Sequence, residues 1–469
     1  MAESGELCLG IDCGTTSVKL SLIEKSTKTL VFSTSEVTNA YVPSKIGSLG
    51  AEQDVVKIFD AVISCLNRIT DEKRSRIKCI SVSGQMHGVM LWNSGFTFEC
   101  KDTSQLPSFV SNLITWEDKR ASSQFLATLP EPNSHQPLAS GFGLVTLFWL
   151  VKNDPEMVVK FDTVGGIMDF FTCMLCGLDK PTLSNQIAAS WGYFDCETNT
   201  WNTDILQEHN FPVFCLPNVI EAGSRIGDLS YEWFGIPKGT PILAGLGDLQ
   251  CSFVAAAKEK SDAVMNISTS SQLGFLVDCE GFVPRKPEVP SPVSYFPYFN
   301  STFLAMAASL NGGNNLKAFV KMIQQWFQTF DVVIPEDKIW SKLTELSMVV
   351  DIPEYPHNLV IQPHLCGERH APDLTTSLSG LERSNSSLHS VFQAICKGLV
   401  NNLNLMMPVA MLIESGVQRL VLSGSVIHKQ PHVTTCVEKI YAPLSVVPGS
   451  NDDASFGAAL VAAKFLNGE

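Results

Sequence analysis

Short apolar runs separated by polar, glycine-bearing turns open the chain. Leu7-Cys-Leu-Gly-Ile11 and Val18-Lys-Leu-Ser-Leu-Ile23 read as strands, and Asp12-Cys-Gly-Thr-Thr-Ser17 between them reads as a turn, so the segment predicts a β-hairpin. Residues 54–68 carry apolar side chains at helical period, and residues 77–82 read as a buried strand leading into Gly84-Gln-Met-His-Gly88. In the second half, Ala263-Val-Met-Asn-Ile267, the hydroxyl-rich Ser268-Thr-Ser-Ser271 and Leu273-Gly-Phe-Leu-Val277 repeat the order strand, turn, strand. One such unit in each half favours two related domains facing each other over a cleft. Glycine and proline punctuate Pro237-Lys-Gly-Thr-Pro241, which predicts a boundary dividing the chain into 1–240 and 241–469. Arg419-Leu-Val-Leu-Ser-Gly-Ser425 is a strand ending in a small-residue turn, and residues 455–464 form a helix-prone segment. Helical and β-rich stretches alternate throughout, which indicates α/β layering.

Composition narrows the classes. A chain of 469 residues exceeds a single hydrophobic core, and 45% hydrophobic with 17% charged residues describes a folded protein. The net charge of −14, without a Lys/Arg run, argues against nucleic-acid or anionic-membrane partners. It leaves nucleotide binding open, because a phosphate site needs only local amide donors, a cation and a helix end. The apolar runs 141–151 and 403–413 fall short of the roughly 18 residues of a membrane span. The acidic, polar N-terminus fits neither a secretory signal nor a transit peptide. Fourteen cysteines without framework spacing suit reduced thiols in the cytoplasm. Cys173-Met-Leu-Cys176 lies in an apolar stretch with no second pair at zinc-finger distance, so it reads as a buried helix face. Neither a Walker A motif nor a GxGxxG helix start is present.

Phosphoryl transfer requires a grip on the phosphates, a divalent cation and a group that orients or deprotonates the acceptor. Gly14 lets backbone approach closely, and Thr15, Thr16 and Ser17 offer amides and hydroxyls to phosphate oxygens. Asp12 is a hard oxygen ligand suited to Mg²⁺, directly or through water. An ordinary hairpin explains the same residues equally well. Ser268, Thr269 and Ser270 supply a second hydroxyl turn, or a surface turn. Asp248, in Leu243-Ala-Gly-Leu-Gly-Asp248, is either a carboxylate aimed into a cleft or a helix N-cap. Gln85, Met86 and His87, bracketed by glycines, offer polar groups and an apolar surface of the kind that grips sugar hydroxyls.

The order of these features resembles the FGGY family of carbohydrate kinases over nearly the whole chain. The matching blocks are Leu9-Gly-Ile-Asp-Cys-Gly-Thr-Thr-Ser17, Ser81-Val-Ser-Gly-Gln-Met-His-Gly88, Ile114-Thr-Trp-Glu-Asp-Lys-Arg120, Gly245-Leu-Gly-Asp248, Ile267-Ser-Thr-Ser270, Pro363-His-Leu-Cys-Gly-Glu-Arg369, Leu422-Ser-Gly-Ser425 and Phe456-Gly-Ala-Ala459. The resemblance implies an α/β fold of two RNase H-like domains, of the actin and hexokinase type, around a central ATP and sugar cleft. It implies ATP and Mg²⁺ as cofactors, and ATP and a small sugar as partners of a monomer or small homo-oligomer. Carried across position by position, it makes Asp248 the catalytic base and a sugar contact. Gln85, Met86 and His87 match the sugar loop, and Asp12 matches the Mg²⁺-associated carboxylate. Gly14, Thr15, Thr16 and Ser17 match the first phosphate turn and Thr269 the second. Gly313 matches a nucleotide-contacting glycine, and Gly424 with Ser425 the adenosine segment. Within the family the likeness leans to phosphorylation of a seven-carbon ketose at its terminal hydroxyl, with a five-carbon ketose as the alternative.

Three positions depart from the family pattern. Thr146 stands three residues before Trp149 where lysine is common, Lys397 stands where glutamate is common, and Ser425 replaces the second glycine of the adenosine turn. The departures at Lys397 and Ser425 raise the alternative of a non-catalytic relative that binds sugar or nucleotide. The intact Asp12, Thr15, Thr16 and Asp248 count against it.

Overall fold

The opening hairpin forms where the pattern places it, in a computed structural model that describes residues 5–96, 98–347, 358–449 and 453–469. Strands β1 (Leu7–Cys13) and β2 (Ser17–Glu24) pair antiparallel, with Asp12 opposite Lys19. Every residue of β1 is buried, which is what an apolar strand in the middle of a covered sheet requires. β3 (Leu30–Val37) extends the hairpin on one side, and β4 (Ile77–Gly84) runs parallel to β1 on the other. β5 (Arg225–Asp228), β6 (Pro241–Leu243) and β7 (Leu246–Gly247) complete a seven-stranded sheet of order β5-β6-β4-β1-β2-β3, with β7 paired to β4.

The second sheet repeats this plan. β8 (Asp262–Ile267) and β9 (Ser271–Val277) form a hairpin, followed by β10 (Val293–Pro297), β11 (Phe303–Ser309), β12 (Arg419–Ser423) and β13 (Ser445–Pro448). Its order is β10-β11-β9-β8-β12-β13, with β8 antiparallel to β9 and parallel to β12. The series β11-β9-β8-β12 therefore matches β3-β2-β1-β4 in order and direction. The protein is an α/β fold built on two such units, and the repeated hairpin legible in the sequence is the repeated centre of both sheets.

Helices cover the sheets. α1 (Val55–Asn67) turns Val55, Ile58, Phe59, Val62 and Leu66 inward at helical spacing and is capped by Asp54, which accepts from Val56 N–H at 2.9 Å. α2 (Asp248–Ala256) follows β7, α3 (Gly313–Thr329) follows β11, and α4 (Leu388–Met406) packs on the second sheet. α5 (Ser425–Lys429) follows β12, and α6 (Ala454–Asn467) closes the chain.

The sequence boundary at 240/241 does not coincide with the passage between sheets. β6 and β7 belong to the first sheet, and the second begins at Asp262. α6 also returns to the first sheet, against β1, β2, β4 and α2. The contact is close because both surfaces are small: a Cβ on Gly10 would lie 2.0 Å from the Ser455 carbonyl oxygen, and one on Gly457 would lie 1.9 Å from that of Cys251. These pairings join residues hundreds of positions apart, which local punctuation does not encode. Cys173 and Cys176 lie on the helix Ile167–Cys176, and burial pushes both thiols up to about 12, in keeping with a packed helix face.

Candidate active site

The turn between β1 and β2 is held from three sides. Gln53 Nε2 donates to the Thr15 carbonyl at 2.7 Å, Trp116 Nε1 to Thr15 Oγ1 at 3.0 Å, and Thr38 N–H to the Thr16 carbonyl at 3.0 Å. Gln53 Oε1 accepts from Gln85 Nε2 at 2.9 Å, so the turn and the Gln85–His87 loop share one buried amide bridge. Neither Gln53 nor Trp116 was singled out from sequence. Trp116 lies in a block matched to the family and is 39% exposed although its indole N–H is committed. Gln53 sits on a two-residue strand with no pattern of its own to mark it.

Asp12, at the end of β1, is 6% exposed and accepts from Ser83 Oγ at 3.1 Å. Burial pushes its carboxyl up to about 6; Lys19 and the Ser83 hydrogen bond oppose this, and Asp453 adds to it. Asp248 stands at the N-terminus of α2, where Gly247 is the N-cap and the Asp248 carboxylate accepts from Leu249 N–H at 2.8 Å. The N-cap alternative is thereby set aside: the aspartate is the first helical residue, one position inside. It is half-buried, and burial followed by the charge of Asp12 pushes its carboxyl up to about 7. The fold thus brings two carboxylates, from β1 and from the start of α2, close enough to repel. Gln186, absent from the sequence reading, holds this corner by accepting from Gly247 N–H at 3.2 Å. Among the described residues no group of three or more His, Cys, Asp or Glu side chains could enclose a metal ion.

The Gln85–His87 loop is firmly built. Gln85 and Met86 are buried, and Gln85 Oε1 has no hydrogen-bond partner. His87 adopts φ +71°, with Nδ1 2.7 Å from the Ser190 carbonyl and its ring stacked on Phe142 at 4.7 Å. Burial holds the imidazole down at about 4, with the Ser190 carbonyl opposing and the positive charge of Arg369 adding to it.

The expected nucleotide-side residues also converge. Gly313 N–H donates to the Ser268 carbonyl at 2.7 Å, Asn314 N–H to the Thr269 carbonyl at 3.1 Å, and Ser425 N–H to Ser268 Oγ at 3.3 Å. Gly424 has φ +101°, and a Cβ there would lie 2.4 Å from the Ile267 carbonyl oxygen, so only glycine fits. Thr269, Gly313, Gly424 and Ser425 therefore surround one turn, between β8 and β9. Of the departing positions, Thr146 is buried in the helix Gly143–Asn153 and Lys397 is exposed on α4. Cavities of about 170 Å³ lie elsewhere, one lined by Asn133, His135 and Lys286 and one by His364, Asn401 and Asn404; neither touches the carboxylates.

Two sheets of one plan, each offering a hydroxyl turn, with a carboxylate pair beside the sugar-type loop, form the frame of a carbohydrate kinase. Residues 7–255 match the N-terminal domain of the FGGY family of carbohydrate kinases, and the chain belongs to that family. As a kinase of this family it uses ATP. It is 41% identical to the sedoheptulokinase of Mus musculus over 98% of this chain and 97% of that protein. It is 42% identical to the sedoheptulokinase of Homo sapiens over 97% of each. The crystal structure of xylulose kinase from Rhodospirillum rubrum has the same fold, with a TM-score of 0.82 at 17% identity over 99% of this chain and 90% of that one.

Proposed function

We propose that the protein transfers the γ-phosphoryl group of ATP to the terminal primary hydroxyl of sedoheptulose, giving sedoheptulose 7-phosphate for the pentose phosphate pathway. The observation that carries this is the 41–42% identity to two sedoheptulokinases across nearly the full length. The free state of all fourteen cysteines supports a reducing, cytoplasmic setting for the reaction.

In this reading Asp248 is the general base. Its carboxyl, raised to about 7, is poised to accept a proton near neutral pH, as an efficient base requires. It accepts a hydrogen bond from the sugar hydroxyl and takes the proton as the oxygen bonds to phosphorus and the bond to ADP breaks. Gln85, Met86 and His87 bind the sugar. The unpaired Gln85 Oε1 accepts from a hydroxyl, the neutral His87 ring and the Trp116 face supply apolar walls, and His87 Nε2 adds a polar contact. Gly14, Thr15, Thr16 and Ser17 grip the phosphates from one side and Thr269 from the other, while Gly313, Gly424 and Ser425 border the nucleoside. Asp12 fits Mg²⁺: a buried carboxylate raised to about 6 beside a second carboxylate gains from a nearby cation. Bound there, directly or through water, Mg²⁺ would neutralise phosphate charge.

The test is ATP consumption by the full chain with sedoheptulose, xylulose, ribulose, fructose and glycerol. The highest kcat/KM is expected with sedoheptulose, and a preference for xylulose would replace that assignment. Asp248→Asn is expected to lower kcat by about 10²- to 10⁴-fold while leaving ATP binding intact; near wild-type turnover would remove Asp248 from its role.

A further inference from the structure

Glu368 and Arg369, on the second lobe, have no part in the scheme so far, yet they are built with unusual care. Glu368 and Ala371 exchange backbone N–H···O bonds of 3.1 Å, so Arg369 and His370 form the tip of a tight two-residue turn. Gly367 enters that turn at φ +64°, where a Cβ would lie 2.4 Å from the Pro372 carbonyl oxygen. The Glu368 side chain is the anchor. It is 1% exposed, and its carboxylate accepts from Ser309 Oγ at 2.5 Å, Leu310 N–H at 3.1 Å, Asn311 Nδ2 at 2.9 Å and Asn402 Nδ2 at 2.7 Å. All four partners are neutral donors. A buried carboxylate that relies on them alone is a costly choice for a surface turn whose position does not matter.

The anchor joins this turn to the nucleotide side of the cleft. Ser309, Leu310 and Asn311 run directly into Gly312 and Gly313, and the Asn311 carbonyl accepts from Ser271 Oγ at 2.7 Å, beside the Ser268–Ser270 turn. Arg369 itself is exposed and, among the described residues, has no carboxylate partner. Its charge is nevertheless felt at His87, on the opposite, sugar-side wall. Arg369 is thus an exposed cation without a carboxylate partner, on a turn tied by Glu368 to the residues that lead into Gly313, and such a group is suited to meet an anion.

We propose that Arg369 contacts the phosphoryl group in transit, holding it as it reaches the sugar oxygen, and that Glu368 is the positioning residue that fixes Arg369 for this contact. The planar guanidinium donates two parallel hydrogen bonds to non-bridging phosphoryl oxygens, a geometry that lysine does not reproduce. It takes up no proton; the proton goes to Asp248 and the leaving group is ADP. The inference rests on the kinase reading above.

The experiment compares full-length wild type with Arg369→Gln, Arg369→Lys, Glu368→Gln and the Glu368→Gln/Arg369→Gln double variant. Arg369→Gln is expected to lose roughly 10²- to 10³-fold in kcat, as removal of a transition-state donor does. Calorimetry should show the phosphorylated sugar binding at least about 10-fold more weakly, with free sugar and ATP affinities within about threefold of wild type. Arg369→Lys should recover part of the loss. Glu368→Gln should lose less, and the double variant no more than Arg369→Gln alone, because both act through one contact. Wild-type kcat and product affinity in Arg369→Gln would overturn the proposal, as would a parallel fall in free-sugar and product affinity. A wild type without sugar-dependent turnover would instead overturn the kinase reading.

Discussion

Replacing Asp248 with asparagine should stabilise the ligand-free protein even as it lowers kcat by about 10²- to 10⁴-fold, because the carboxylate is held where its charge is unwelcome. Its value stands at about 7 against an ordinary 3.8. A folded-state value above the unfolded one means that the native protein holds the proton more tightly. The group therefore favours folding below about pH 4, and that contribution is lost as pH rises through about 7. At 1.36 kcal/mol per unit, a displacement of about three units amounts to roughly 4 kcal/mol at full ionisation. Asp248 is half-buried, and cleft water screens it, so roughly 2 kcal/mol is the expected size. It develops between about pH 4 and about pH 7, where the unfolded carboxyl has ionised and the native one still holds its proton. Asparagine does not titrate, so the change in the gap between variant and wild type isolates the electrostatic part. Urea unfolding at both pH values, without sugar, nucleotide or divalent cation, measures it. The variant's advantage should widen at the higher pH. Asp12 contributes to the shift, so Asp12→Asn should shrink the advantage of the second substitution. A gap that is equal at both pH values, or narrows as pH rises, would refute the repelling carboxylate pair.

Two further outcomes test the surroundings of that pair. Thr15→Val with Thr16→Val should weaken ATP binding more than sugar binding by calorimetry, and the reverse would exchange the two sides of the cleft. Gly10→Ala should lower stability by about 1–3 kcal/mol, since its Cβ would meet backbone atoms of α6 that cannot rotate away; an unchanged melting temperature would mean that α6 does not seat against β1.

What the sequence made legible was local. The hairpin of residues 7–23, helix α1 and the Ser268–Ser270 turn each announce themselves within about fifteen residues, through alternation, period and turn chemistry. The chemistry of Asp12 and Asp248 was legible only as residue type. Burial raises both carboxyls, and burial depends on strands and helices brought in from elsewhere. Gln53 and Gln186 were invisible for the same reason: a glutamine signals nothing until the groups it bridges are known. Glu368 was in view as part of a family block, but its four donors come from β11, the residues just after it and α4. The 240/241 boundary followed Gly and Pro punctuation. Sheet membership follows pairing between distant strands, and the two need not agree.

The last helix explains why the first sheet can hold its carboxylate so firmly. Asp453 caps α6 through Ser455 and Phe456 N–H and also pairs with Lys19 at 3.3 Å, directly across the hairpin from Asp12. Ser455 Oγ lies 2.7 Å from Ser21 Oγ on β2, and Ala458 and Ala459 are buried against the sheet. Lys19 is thus shared between the helix cap and the buried aspartate, and it is the first charge that opposes the upward shift of Asp12. A segment from the far end of the chain therefore sets the charge balance at the turn that begins it. The small residues of Phe456-Gly-Ala-Ala459 matter to that turn because they let the helix come close enough to do so.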